Sequence, residues 1–188
     1  MTLKQRFARW WLSLTGWKVV GDLPPDIKRF VVIGAPHTSN WDLYGAVLGA
    51  MSMNFRGKWL GKKELFRFPF GWLMRWLGGI PVDRSRRTNM VDFAAKLLET
   101  SDSLGLIIPP EGTRSKTPKW KTGFYYIAYK ARVPIICGFM DYAKRELGIG
   151  LILTPTGNIH EDIKIIRDFY STVQGKYPEK MSPVEIDE

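Results

Sequence analysis

The chain contains two histidines, and one of them, His37, is followed five residues later by an aspartate, Asp42. The apolar run FVVIGA (30–35) leads into PHTSNWD (36–42), and LYGAVLGAMSMNF (43–55) follows with helical composition. That layout puts the imidazole at the end of a strand and the carboxylate in the first turn of the next helix. The helix dipole favours negative charge there, and Ser39 or Asn40 can cap the helix. If the carboxylate reaches back to one ring nitrogen, it fixes the tautomer and leaves the other nitrogen to take a proton. The same residues also describe a capped helix with a hydrogen-bonded histidine and no chemistry.

Two further segments place polar groups after apolar runs. LGLII (104–108) leads into PPEGTRS (109–115). There Gly112 permits positive φ, Thr113 and Ser115 offer hydroxyls and backbone N–H groups, and Arg114 offers a planar fork that matches phosphate oxygens. Taken alone, that segment is equally a turn with a surface arginine. The third segment, GGIPVDRSRR (78–87), places Arg84 just past a short strand. In open α/β sheets ligands bind outside the carboxyl ends of the strands, so His37, Arg84 and Arg114 can face one cleft. A zinc shell is not expected, because His160 is the one remaining imidazole and the single cysteine, Cys137, lies in an apolar strand. A Ser-His-Asp hydrolase is not supported either, since no G-x-S-x-G elbow occurs.

The elements that must carry these groups alternate between short β-like and longer helical runs. Strands are expected at 17–20, 29–34, 57–61, 80–82, 104–109, 133–139 and 149–154, and helices at 2–14, 40–54, 69–77, 88–100, 121–132 and 161–174. Thr88 reads as the N-cap of an amphipathic helix with Val91, Ala95 and Leu98 on one face. Strands separated by helices predict an α/β fold, a single domain with a central, mostly parallel sheet flanked by helices. Two apolar runs flank DYAKRE (141–146), which predicts a hairpin there, and KYPEKMSPVEIDE (176–188) reads as a loosely ordered tail.

Composition narrows the setting. Apolar residues make up 45% of the chain, which excludes a disordered polymer. One cysteine excludes an internal disulfide and fits a reducing compartment. No signal peptide is expected, because only eight uncharged residues, 10–17, separate Arg9 from Lys18. The longest apolar stretch, 43–55, has 13 residues, short of the roughly 20 needed to span a bilayer. Net charge is +10, and residues 56–87 alone contribute +7, whereas residues 161–188 carry −3. A positive middle suits anionic partners or is simply a solvated surface. An amphipathic N-terminal helix with Phe7, Trp10, Trp11 and Leu14 on one face, beside Lys4, Arg6 and Arg9, has the composition of an interfacial helix. The aromatic-basic stretch 65–79 supports membrane contact, or lines an internal acyl pocket.

These residues resemble the glycerolipid acyltransferases typified by bacterial 1-acyl-glycerol-3-phosphate acyltransferase. Their N-H-x-S-x-x-D block, the HX4D motif, is matched from His37 to Asp42, with Pro36 where Asn is common. KKELFRFPFG (62–71) and GIPVDR (79–84) resemble their second block, PEGTRS (110–115) their third, and VPII (133–136) part of their fourth, with Cys137 at a proline position. KTGF (121–124) resembles the K-x-G that follows the third block. The resemblance implies an acyltransferase domain over 29–175, preceded by a membrane-associating segment at 1–28 and followed by a tail at 176–188. It implies transfer of a fatty acyl group from acyl-CoA or acyl carrier protein to the hydroxyl of a lysophospholipid, with His37 as base and Asp42 orienting it. Arg84 and Arg114 would hold the acceptor phosphate, Glu111, Gly112 and Thr113 would shape its pocket, and Lys62, with Lys63, would contact phosphate or acyl carrier. No metal or further cofactor is implied, and no nucleic-acid partner, since no nucleic-acid motif occurs. The implied location is cytoplasmic, peripheral on the inner face of the cell membrane. Other acceptors, a lipid esterase and a non-catalytic anionic-membrane-binding module are the alternatives.

Overall fold

The computed structural model describes residues 1–55, 57–82, 90–113 and 115–187. Its strands are β1 (Lys18–Val20), β2 (Arg29–Gly34), β3 (Gly57–Lys62), β4 (Gly79–Val82), β5 (Leu104–Ile107), β6 (Ile135–Asp141) and β7 (Glu146–Leu153). Its helices are α1 (Leu3–Leu14), α2 (Trp41–Ser52), α3 (Gly71–Trp76), α4 (Met90–Glu99), α5 (Gly123–Ala131) and α6 (Ile159–Tyr170). The strands form one sheet in the order β1-β7-β6-β2-β5-β3-β4. Every pair in it is parallel except β6 with β7. The fold is therefore the expected single α/β domain. The expected hairpin is present too: Asp141 accepts from the amides of Ala143 and Lys144, and Arg145 takes a left-handed φ of 54° to close the turn.

Local chemistry explains the element ends. At the start of α1, Thr2 and Gln5 form a capping box, each side chain accepting from the other's amide. α5 stops at Arg132, which is left-handed at φ 53°, and Pro134 follows. The expected Thr88 cap of α4 lies outside the described residues. The helix expected at 69–77 is shorter, because a 3-10 turn, Lys63–Phe66, comes first and α3 begins only at Gly71.

The two faces of the sheet are covered differently. α4, α5 and α6 close one face over Val31, Ile33, Leu106 and Ile135, all fully buried. α1 and α2 cover the other over Leu147, with Ala8, Leu12 and Leu48 between them. α2 sits close to the sheet because Gly45 and Gly49 lack side chains. A Cβ on Gly45 would stand 2.3 Å from Met140 Sδ.

The tail is not loosely ordered as expected. Glu185 accepts from the Trp120 amide at 2.7 Å, Val184 accepts from Arg167 Nε at 2.7 Å, and Val184 and Ile186 pack on the core. A polar composition hides this anchoring because much of it runs through backbone groups. Among the described residues no helix is long and apolar enough to cross a membrane.

Burial in the sheet centre sets the first prediction. Leu106→Ala leaves a cavity in a fully buried site and is expected to lower unfolding free energy by about 2–5 kcal/mol in chemical denaturation. Trp72→Ala, on an exposed site, is expected to change it by no more than about 0.5 kcal/mol.

Candidate active site

β2, β5, β3 and β4 run parallel, so their carboxyl ends share one edge of the sheet. The loop after β2 carries His37, the loop after β5 carries Glu111, Gly112 and Thr113, and β3 ends at Lys62. Two of the expected site residues, Arg84 and Arg114, lie outside the described residues. A cavity of about 550 Å³ touching Lys28, Arg29, Asp102 and Pro134 opens at the other end of the sheet, where β2 begins, and does not include these groups.

His37 Nδ1 lies 3.1 Å from Asp42 Oδ2. The same carboxylate oxygen accepts from the backbone amides of Thr38 at 2.9 Å and Ser39 at 2.8 Å. Asp42 Oδ1 accepts from the Tyr142 hydroxyl at 3.0 Å. The carboxylate is only 9% exposed. Burial pushes its pKa up, but the hydrogen bonds from His37, Ser39 and Tyr142 outweigh burial and hold it below the usual aspartate range. Asp42 is thus an anion that accepts from Nδ1–H, which leaves the His37 Nε2 lone pair for a proton.

Of the two residues expected to cap the helix, Ser39 supplies the side-chain bond. Asn40 stands at the N-cap position, but its side chain makes no cap bond. Instead Ser39 Oγ accepts from the Trp41 amide at 3.1 Å. Asp42 folds back onto the loop amides, so the carboxylate organises the loop as well as the imidazole.

Glu111 turns inward and is 2% exposed. Oε1 accepts from the His37 amide at 3.2 Å, and Oε2 accepts from the Ser182 hydroxyl at 3.3 Å. It braces the histidine loop from the neighbouring strand end. Burial raises its pKa, and the bonds from His37 and Ser182 offset that only in part. Gly112 has the expected positive φ, +66°, and a Cβ there would stand 2.9 Å from Lys121 Nζ. Lys121, singled out only within KTGF, therefore lays its ammonium against this loop, and its amide donates to Pro110 at 2.9 Å. Lys62 is exposed at the end of β3.

Sequence reasoning missed three supports. Tyr142 reaches Asp42 from the β6–β7 turn, and its ring meets Trp17 edge-on at 5.1 Å. Its phenol pKa is pushed up by burial and by the Asp42 charge, which keeps it a donor. Tyr170 donates to the carbonyls of Ile33 and Gly138, tying β2 to β6 just before the loop. Residues 174–182 cross behind the site: Gln174 accepts from the Tyr142 amide, Tyr177 N–H donates to Thr38 Oγ1, and Ser182 reaches Glu111. Two tyrosines and a serine far from PHTSNWD in sequence leave no local signal. Among the described residues, no group of three or more His, Cys, Asp or Glu is arranged to hold a metal.

A half-buried histidine held by a buried aspartate, and braced by a Glu-Gly-Thr loop at the carboxyl edge of a parallel sheet, is an arrangement chemically able to take up a proton. The chain belongs to the Acyltransferase family, whose pattern it matches over residues 18–140. It is 33% identical over 127 residues to a 1-acyl-sn-glycerol-3-phosphate acyltransferase of Saccharomyces cerevisiae, covering 63% of this chain and 41% of that protein. It is 30% identical over 116 residues to the enzyme of the same name from Streptococcus pneumoniae, covering 61% of this chain and 42% of that one. The chain thus spans about two fifths of the length of these curated relatives. Its fold is shared with the crystal structure of the 1-acyl-sn-glycerophosphate acyltransferase PlsC from Thermotoga maritima. That match has a TM-score of 0.59 and 22% identity, over 88% of this chain and 74% of that chain.

The raised pKa of Glu111 makes a stability prediction. Its folded value lies above the ordinary 4.5, so its stabilising contribution is complete below about 4.5 and is lost as pH rises through the folded value. Glu111→Gln removes that titration. Its denaturation midpoint is expected to gain on wild type as the pH rises from about 4.5 to neutrality; a constant gap across that range would contradict the buried-acid assignment.

Proposed function

We propose that the chain transfers a fatty acyl group from a thioester, acyl-CoA or acyl carrier protein, to the free hydroxyl of a lysophospholipid. The acceptor best supported is 1-acyl-sn-glycerol-3-phosphate, named in the relatives' activities, and the product is then phosphatidic acid for phospholipid synthesis. The observation that carries this reading is the His37 Nδ1 to Asp42 Oδ2 contact of 3.1 Å at the sheet's carboxyl edge. His37 Nε2 takes the acceptor hydroxyl proton as the oxygen attacks the thioester carbonyl. Asp42 stabilises the imidazolium that forms. The tetrahedral adduct collapses, the C–S bond breaks, and the imidazolium returns its proton to the leaving thiolate. No acyl-enzyme forms, and no cofactor is needed beyond the donor as co-substrate.

Glu111 keeps the histidine loop in place, and Gly112 and Thr113 shape the neighbouring loop. Arg84 and Arg114 hold the acceptor phosphate, with Lys62 as a further contact to phosphate or carrier. An anchored phosphate positions the hydroxyl, which is a large lever in a two-substrate reaction. The setting is peripheral, on the inner face of the cell membrane. It is supported by exposed Phe7, Trp10 and Trp11 on α1 beside basic residues.

Acylation of lysophosphatidate by acyl-CoA and by acyl carrier protein tests the reading directly. His37→Ala is expected to lower kcat by about 10²–10⁴-fold, and an unchanged rate removes His37 as the base. Arg114→Ala is expected to raise the acceptor KM about tenfold or more while the donor KM barely moves. An unchanged acceptor KM would argue against the phosphate clamp.

A further inference from the structure

The segment from Leu65 to Leu77 leaves four large aromatic side chains in solvent: Phe68 is 97%, Trp72 70% and Trp76 76% exposed, and Phe70 is exposed as well. Side chains so placed do not line an internal acyl pocket. The segment is nonetheless held firmly from below. Phe66 is buried against Gly61 and Gly79, where any Cβ would clash with its ring. The Arg75 guanidinium lies 5.6 Å over the Phe66 ring and donates to the Gly71 carbonyl at 3.2 Å. Four large aromatic side chains exposed within nine residues on a fixed base mark an interaction surface.

Its side of the molecule is also defined. Leu60 packs with the α4–α5–α6 core, so strand alternation puts Trp59 and Gly61, and with them Phe66 and α3, on the opposite face. That is the face covered by α1 and α2. α2 packs on β6 and β7, residues 63–70 follow the carboxyl end of β3, and β2 with its His37 loop lies between them in the sheet. Within 57–82, Lys58, Lys62, Lys63, Arg67 and Arg75 stand against a single acid, Glu64. Tryptophan and phenylalanine beside cationic groups match the interfacial zone of an anionic bilayer.

We propose that residues 65–77 form a second membrane footing, which inserts Phe68, Phe70, Trp72 and Trp76 into the interface of an anionic bilayer on the far side of His37 from α1. It rests on the membrane setting proposed above. Two footings that straddle the His37 loop hold the site mouth flat against the lipid surface, where a lysophospholipid hydroxyl lies.

Co-sedimentation of the full chain with phosphatidylcholine vesicles, with and without phosphatidylglycerol, tests it. The triple variant F68S/W72S/W76S is expected to lose about tenfold or more in partitioning to the anionic vesicles. Its denaturation midpoint should hold, since the removed groups are exposed. Its acyl transfer on detergent-dispersed substrate should hold too. Wild type should bind phosphatidylglycerol-free vesicles more weakly, and equal binding overturns the anionic assignment. Undiminished partitioning of the triple variant overturns the proposal. So does a wild-type dimer in sedimentation equilibrium that the variant abolishes while vesicle binding stays, for the face then docks a second copy. Absence of acyl transfer by wild type in any format would count against the proposed reaction and leave the vesicle result standing.

Discussion

A carboxylate sealed from water is costly unless its lone pairs find donors, and Asp42 finds four. The amides of Thr38 and Ser39 and the His37 ring meet Oδ2, and the Tyr142 hydroxyl meets Oδ1. That set defines the path of residues 37–42 and the orientation of the imidazole at once. It also keeps the group anionic, because the hydrogen bonds outweigh the burial that would neutralise it. An imidazole held through Nδ1 can offer only Nε2 to a substrate. The chemistry of the site, the cap of α2 and the approach of β6–β7 all follow from satisfying one buried anion.

The rest of the edge braces that arrangement. Glu111 reaches from the loop after β5 to the His37 amide, and Ser182 holds its other oxygen. The segment 174–182 touches Tyr142, Thr38 and Glu111 in turn, so a single strap contacts both loops. It lies beyond residues 18–140, where the family pattern is matched. The strap therefore supports the family's core from outside it. Buried polar contacts of this kind lose the most when one partner is removed, since the other is left unsatisfied.

Much of this was legible in the chain because its signals are local. The run 30–35 and the five-residue spacing from His37 to Asp42 lie within one strand-loop-helix unit, so periodicity and capping chemistry place them. Gly112 was readable as a positive-φ turn residue for the same reason. The parallel sheet followed from strands separated by helices, and it brings the loops after β2, β3 and β5 to one edge. What was not legible depends on distance along the chain. Tyr142 is 100 residues from Asp42, and Ser182 is 71 from Glu111. A tyrosine in a turn and a serine in a polar tail carry no mark of such pairings. The tail itself reads as loose because its anchors are backbone groups, two aliphatic side chains and polar side chains whose partners lie far off in sequence. The aromatic stretch 65–79 admitted two readings, and only the outward direction of Phe68, Trp72 and Trp76 separates them.

The tautomer of His37 is the most direct readout of the Asp42 constraint. Nitrogen-15 NMR of the neutral imidazole distinguishes a protonated ring nitrogen from one with a free lone pair. The arrangement predicts Nδ1 protonated against Asp42 and Nε2 unprotonated. A spectrum with the proton on Nε2 and a bare Nδ1 would contradict it, because the carboxylate would then face a lone pair and the base would point into the protein.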